Sequence, residues 1–180
     1  MALVAIVITG LPAGGKTTVA KRIAVGLNWP LLDKDDFLEN LFASASVESF
    51  DDRRRLSKLS DEAFQAAAKM HSNAVLVSHW RPIVGRKNTG TDPDFVNEHF
   101  DKIIEVHCVC SVETAAKRFR TRIRHHGHMD KRKSEEDVKR QIQLLSKGYP
   151  LGIGFPISVE TENPVDYARL LSQIKSEICV

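Results

Sequence analysis

The residues with the clearest chemistry lie at positions 10–17, where the sequence reads GLPAGGKT. Their spacing matches G-x-x-x-x-G-K-[ST], a pattern typical of loops that bind nucleotide phosphates. The three glycines of this stretch permit a tight bend that brings backbone N–H groups against phosphate oxygens. Lys16 can reach the β- and γ-phosphates, and the Thr17 hydroxyl can bind Mg²⁺. The motif therefore predicts a site for ATP and Mg²⁺.

The sequence on either side of this loop fits a strand followed by a helix. Residues 2–9, ALVAIVIT, are apolar and β-branched, as in a buried strand. Residues 16–27 carry Val19, Ile23 and Leu27 on one helical stripe. This helix would point its positive N-terminal end at the same anion. The alternative is an ordinary glycine-rich turn between strand and helix.

A group of carboxylates follows the next short strand, residues 31–33. Because ligands collect at the carboxyl ends of parallel strands, a carboxylate here can face the phosphate loop. It could accept the proton of a substrate hydroxyl during phosphoryl transfer. Asp35 is the first candidate for this base and Asp33 the second. The alternative is that these carboxylates only cap the following helix.

Arginines recur in residues 112–124, a predicted helix after the fourth strand. Arg118 and Arg122 would share one face of that helix, and so would Arg120 and Arg124. We expect Arg118 and Arg122 to neutralise the charge that spreads over the γ-phosphate during transfer. The alternative is a solvated basic face.

Two further basic or histidine-rich stretches adjoin these elements. Residues 125–128, HHGH, are expected to form a mobile polar tip and not a metal site. Residues 53–55, three arginines, are expected to form a solvated helix face.

The end of the third predicted strand is expected to lie beside the acceptor. There, His79 precedes Trp80, which offers a flat stacking surface, and Arg81, which offers a charge for an anionic group. The alternative is a packing tryptophan beside a surface arginine. Arg86 and Lys87 would extend the positive potential of this loop.

Short apolar runs alternate with helical patterns along the 180 residues. This alternation predicts an α/β fold with a parallel sheet and helices on both faces, in one domain spanning residues 1–180. The formal net charge of +3 suits an anionic substrate without requiring nucleic acid. Three cysteines without framework spacing, and no apolar run near the ~20 residues of a membrane span, predict a cytoplasmic protein without membrane contact.

Residues 10–18, together with Lys34, Asp35, Asp36 and Phe37, resemble the small P-loop kinases. The branch in question includes polynucleotide 5′-hydroxyl kinase, chloramphenicol phosphotransferase, gluconate kinase and the zeta toxins. The resemblance implies a three-layer P-loop NTPase sandwich, with a five-stranded parallel sheet in the order 2-3-1-4-5. It also implies that Asp35 is the base, that a helical lid lies at about residues 115–135, and that the turn at residues 161–165 borders the adenine.

The expected site residues can now be given together. Those expected to hold the nucleotide are Gly10, Leu11, Pro12, Ala13, Gly14, Gly15, Lys16, Thr17, Thr18, Arg118 and Pro164. Those expected to hold the acceptor are Asp33, Asp35, His79, Trp80 and Arg81, and those expected to hold Mg²⁺ are Thr17 and Asp35.

The third strand departs from many P-loop proteins, which end it in a carboxylate that supports Mg²⁺. Here Ser78 or His79 occupies that place, so the outer shell of the metal would depend on Asp35, Asp33 or Ser78. This departure weakens the hypothesis of a simple NTPase more than that of a kinase.

The leading hypothesis is an ATP-dependent phosphotransferase that moves the γ-phosphate to a hydroxyl of a small molecule. Polynucleotide 5′-hydroxyl kinase and nucleoside or nucleotide kinase are alternatives, so nucleic acid remains a possible acceptor. A regulatory ATPase or nucleotide-binding switch is the alternative of another class, and a non-catalytic nucleotide-binding module is a third. The fold cannot choose the acceptor, since this architecture hosts many.

Overall fold

The computed structural model describes residues 2–82 and 90–179, so the predicted basic residues Arg86 and Lys87 lie outside the described part. Five strands form one parallel sheet in the order β2-β3-β1-β4-β5. They are β1 (Val4–Gly10), β2 (Leu31–Asp33), β3 (Asn73–Val77), β4 (Lys102–Val109) and β5 (Phe155–Glu160). The predicted fold class and strand order are confirmed.

Within the described ranges, seven α-helices connect and cover these strands. They are α1 (Lys16–Leu27), α2 (Lys34–Ser44), α3 (Phe50–Ala68), α4 (Asp94–His99), α5 (Val112–Thr121), α6 (Glu135–Ser146) and α7 (Tyr167–Cys179). Two short 3-10 turns, His126–His128 and Asp130–Arg132, lie between α5 and α6. Within residues 2–82 and 90–179, no helix combines the length and the apolar composition that a membrane span needs.

Both faces of the sheet are covered, because β1 is buried along its whole length and its side chains alternate between two cores. On one face, Ile6 and Ile8 pack with the apolar stripes of α1 and α7. On the other, Ala5 and Val7 pack with α3 and α4 through Phe64 and Phe95. The continuous apolar runs of the sequence thus become the middle layer of a three-layer fold.

The end of one helix differs from the prediction, and the difference bears on the site. Helix α5 ends at Thr121, because Arg122 takes an extended conformation (φ −67°, ψ 145°). Arg122 therefore does not share a helical face with Arg118, and the predicted pairing on one helix is wrong. Pro164, which was expected to hold the nucleotide, lies in the exposed turn between β5 and the start of α7 at Tyr167.

A buried carboxylate ties the chain between α6 and β5 to the centre of the sheet. Glu105 of β4 is 1% exposed and accepts hydrogen bonds from the backbone N–H groups of Leu151, Gly152 and Ile153, at 2.7 to 3.1 Å. It also accepts the Thr9 hydroxyl at 2.7 Å. Glu105 thereby fixes the start of β5 relative to β1.

Candidate active site

The loop between β1 and α1 forms a tight concave bend. Gly10 has φ 133°, and a Cβ there would lie 2.5 Å from the carbonyl oxygen of Cys108. Gly15, at the start of α1, has φ 91°, so both positions require glycine. The Lys16 amine donates to the carbonyl oxygens of Gly10 and Leu11, at 2.9 and 2.8 Å. The loop therefore has the close-approach geometry that the motif predicted for phosphate binding.

Asp33, the last residue of β2, faces the first turn of α1. Its Oδ2 accepts the Thr17 hydroxyl at 2.7 Å, and its Oδ1 accepts the backbone N–H of Asp35 at 3.1 Å, which caps α2. Burial, followed by the charge of Asp35, raises the pKa of Asp33 to about 6. The structure thus places Asp33, and not Asp35, against Thr17.

Asp35 lies in the first turn of α2 and is paired with Arg124. Burial alone would raise the pKa of Asp35, but Arg124, with His128 and Arg122, lowers it below the usual 3.8. Arg124 was not among the predicted catalytic arginines, although it is the one in contact with the candidate base. Its position depends on the backbone after α5, which the helical prediction described wrongly.

The two arginines that were predicted to act together lie at different places. The Arg118 guanidinium donates to the carbonyl oxygen of Thr161 at 2.7 Å, in the turn after β5. Arg122 pairs with Asp130 at 2.9 Å and lies 4.1 Å from the centre of the Phe119 ring. Both side chains line the same cavity, Arg118 near the turn that was expected to border the adenine.

The segment between α5 and α6, residues 122–134, packs against α2. His125 stacks on Phe42 at 5.3 Å between ring centres, and His128 meets the same ring edge-on at 5.2 Å. His128 is fully buried and hydrogen-bonds Glu39 at 2.8 Å. Gly127 allows this packing, since a Cβ there would lie 2.6 Å from the Phe42 ring. The prediction that residues 125–128 form a polar tip is therefore wrong for His128.

Of the three residues after β3 that were predicted to hold the acceptor, only His79 and Arg81 line the cavity. Trp80 is fully buried, with its indole N–H donating to the Ile8 carbonyl oxygen at 2.9 Å and its ring packed near Phe64 and Phe95. The prediction that Trp80 stacks on an acceptor is wrong, because the apolar core on that face takes the ring. His79 and Arg81 do line the cavity.

The charges of these two residues differ. Burial, then Lys16 and Lys34, lowers the pKa of His79 to about 3, so its ring is neutral at physiological pH. Arg81 forms an ion pair with Asp92 at 2.9 Å.

Ser78, at the position where many P-loop proteins have a carboxylate, does not contact Thr17. Its hydroxyl hydrogen-bonds Thr91, which donates to Asp61 of α3. Asp61 in turn pairs with the buried Lys34 at 2.7 Å. This chain of hydrogen bonds holds α3 against the end of β3, so Ser78 serves the scaffold of the site.

One cavity joins these groups. Its volume is about 1380 Å³, and it extends from the phosphate loop past Asp35 to the first turns of α3. Pockets for single small ligands usually measure about 300–1,000 Å³, so this one has room for a nucleotide and a second molecule. Of the described residues, eleven basic and five acidic ones line it, giving a formal charge of +6.

Comparison with known proteins decides the fold. No protein-family model matches the chain. A shikimate kinase of Corynebacterium glutamicum is 33% identical over 78 residues, a match that spans 43% of this chain and 43% of that kinase. Among solved structures, a proposed kinase from Chloroflexus aurantiacus has a TM-score of 0.78 at 24% identity, covering 99% of this chain and 97% of the other. This chain has the P-loop kinase fold.

Other solved P-loop kinases extend the comparison. Shikimate kinase from Acinetobacter baumannii, in complex with shikimate, has a TM-score of 0.64 at 17% identity, covering 99% of this chain and 94% of that one. A gluconokinase from Sinorhizobium meliloti 1021 has a TM-score of 0.53 at 17% identity, covering 97% of each chain. Gluconate kinase belongs to the branch named from the sequence; the likeness to the other members of that branch stays a prediction.

Arg53 lines the cavity, although residues 53–55 were predicted to form a solvated helix face. All three arginines line the cavity, but only Arg53 is half-buried, whereas Arg54 and Arg55 are exposed. Helical periodicity carries the signal that could have found it. Leu56, Ser60 and Phe64 form the buried face of α3, and residue 53 lies one turn before Leu56 on that side.

Proposed function

We propose that this protein is an ATP-dependent kinase that transfers the γ-phosphate to a hydroxyl group of a small molecule. The observation that carries the proposal is that the phosphate loop and Asp35 open onto one cavity with room for two ligands. Kinases with this fold supply the reaction class, and the cavity supplies a place for the acceptor beside the nucleotide.

The reaction would use the residues of this chain as follows. The loop at residues 10–17 binds the phosphates through its backbone N–H groups, and Lys16 neutralises charge on the transferred group. Asp35 accepts the proton of the acceptor hydroxyl. That oxygen bonds to the γ-phosphorus as the bond from phosphorus to the β-phosphate oxygen breaks and ADP leaves. The lowered pKa of Asp35 keeps it ionised at neutral pH, the form that can accept a proton.

The residues around Thr17 fit Mg²⁺, which when bound would neutralise charge on the β- and γ-phosphate oxygens. Hydroxyl and carboxylate oxygens are the donors that Mg²⁺ prefers, and it is commonly held by one or two carboxylates together with phosphates. Asp33 is buried beside Thr17 and has no ion-pair partner among residues 2–82 and 90–179. We assign Thr17 and Asp33 to the metal and keep Asp35 for the acceptor.

Residues 122–134 act in this proposal as the lid, within the stretch of about 115–135 expected from the sequence. The lid segment closes over the cavity from α5 and rests on α2 through Phe42. Closure excludes water, and so favours transfer to the acceptor over hydrolysis.

The test is ADP release from ATP and Mg²⁺ against shikimate, gluconate, neutral sugars, nucleosides and 5′-hydroxyl oligonucleotides. We expect one small-molecule acceptor to raise the rate well above the acceptor-free rate. Asp35→Asn should lower that rate by about 10²- to 10⁴-fold while nucleotide binding persists. Asp36→Asn, an exposed neighbour in the same helical turn, is the matched control. A high rate that is the same with every acceptor would identify an ATPase and refute the kinase.

A further inference from the structure

Among the described residues, Arg53 differs from the other half-buried or buried cations of the cavity in having no side-chain partner. The other half-buried or buried lysines and arginines that line the cavity either form an ion pair with a carboxylate or donate to a backbone carbonyl oxygen. They are Lys16, Lys34, Arg81, Arg118, Arg122, Arg124 and Lys133. Within the described part of the chain, Arg53 alone of this group has no hydrogen bond or ion pair from its guanidinium.

The surroundings of Arg53 are short of negative charge. Its Nε is buried without a hydrogen-bond partner, and so is the Nε of Arg122. Arg122, Arg124 and Lys133 lie in the same cluster of charges, and within the described part of the chain the carboxylates that pair with these three cations are Asp35 and Asp130. Four cations face two carboxylates there, so two positive charges remain uncompensated.

This imbalance is costly in a partly buried place. A buried donor without a partner loses its hydration and gains nothing in return. Burial, and then Arg124, lowers the pKa of Arg53, which shows that the charged form is disfavoured in this surrounding. An anion that bound here would satisfy both orphaned groups and offset the excess charge.

We propose that Arg53 and Lys133 form a second anion-binding subsite, which holds a carboxylate or phosphate group of the acceptor. In its reference to an acceptor this inference rests on the proposed kinase function. The subsite uses other elements than the phosphate loop does: Arg53 comes from α3 and Lys133 from the lid segment, whereas the loop follows β1. The acceptor is thus an anionic alcohol, whose charged group binds to Arg53 and Lys133 while its hydroxyl faces Asp35.

The experiment must keep the probe out of the phosphate loop. The full chain is therefore first saturated with a non-hydrolysable ATP analogue and Mg²⁺. Inorganic phosphate, shikimate and its neutral methyl ester are then titrated, and binding is read from the rise in unfolding temperature. We expect phosphate or shikimate to stabilise the protein and the ester not to do so; the stronger of the two anions tells which group the subsite takes.

The variants assign the effect to Arg53. Arg53→Gln should weaken anion binding by about 10- to 100-fold, and Lys133→Gln should weaken it in the same direction. Arg53→Lys should restore part of the affinity, which loss of folding could not explain. Arg169→Gln, the same change at an exposed position of α7 on the opposite side of the sheet, should bind as wild type. Stabilisation by the nucleotide analogue confirms that each variant is folded.

Two results would overturn the subsite. One is an anion that stabilises Arg53→Gln as much as wild type, and the other is a wild type that no anion stabilises. Neither bears on the kinase proposal, which is judged by acceptor-dependent ADP release. Conversely, a protein that transfers phosphate only to neutral acceptors would keep the kinase and exclude the anionic one.

Discussion

Asp33 and Asp35 are two residues apart, yet their surroundings push their pKa values in opposite directions. Asp33 is buried beside another carboxylate and its pKa rises to about 6, whereas Arg124 holds the pKa of Asp35 below its usual value. Carboxylates whose pKa values are pushed apart in this way commonly take different roles. The sequence predicted both as candidates but could not divide the roles, because Arg124 is 89 residues away along the chain.

Asp33→Asn should stabilise the nucleotide-free protein at pH 7. The pKa of Asp33 is about 6 in the folded protein, against its ordinary value of 3.8. The folded state therefore holds this proton more tightly, and stability is lost as the pH rises from about 4 to about 6. Removing the charge should regain about 3 kcal/mol in the free energy of unfolding at pH 7 and nothing below about pH 3.8. Urea unfolding at the two pH values measures this, and an equal effect at both would contradict it.

The same substitution should cost function, since Asn cannot supply the charge that Mg²⁺ requires. Mg²⁺-dependent tightening of ATP binding should be lost in Asp33→Asn and kept in Asp36→Asn.

Arg124→Gln should raise the pKa of Asp35, because it removes the strongest of the charges that lower it. The acid limb of the pH profile of kcat/KM reports this base in the free enzyme. We expect that limb to move toward neutral pH in Arg124→Gln and to stay in place in Arg169→Gln. An unmoved limb would mean that another group accepts the proton.

At the scale of elements, local patterns were sufficient for the sheet and its helices. The bounds of α1 and β2 agree with the prediction, because their apolar periodicity and their flanking glycine and proline residues are local signals. The lid segment could not be predicted in the same way. Its path depends on Phe42, which Gly127 admits, and on Asp130, which holds Arg122. The prediction for Trp80 was wrong for a related reason, because the burial of its ring depends on α3 and α4.

Glu105→Ala should be among the most damaging changes outside the cavity. It would leave three backbone N–H groups and the Thr9 hydroxyl without their acceptor in a buried place. We expect a loss of about 3 kcal/mol or more in the free energy of unfolding, measured in urea. Glu98→Ala, at an exposed position of α4, should change it by less than about 1 kcal/mol. A similar loss in both variants would refute the role of Glu105.

For the whole molecule, the binding of nucleotide and the unfolding of the chain are linked equilibria. A ligand at 100 times its Kd should add about 2.7 kcal/mol to the free energy of unfolding. We expect ATP and Mg²⁺ to raise the unfolding temperature of the wild type accordingly. Lys16→Ala, which removes a cation from the phosphate loop, should reduce that rise and lower the transfer rate by about 10²-fold. A variant that turned over like wild type would refute the assignment of the loop.

The uneven distribution of charge has a consequence for how ligands arrive. The cavity lining carries +6 while the chain carries +3, so all the remaining residues together carry −3. The field outside the protein therefore combines that of a net positive charge with that of a dipole whose positive end is the mouth of the cavity. A small anion diffusing nearby is steered inward and accelerated, and added salt slows it. A long polyanion would have to lie across the negative remainder, so a polynucleotide gains less from this field than a metabolite does.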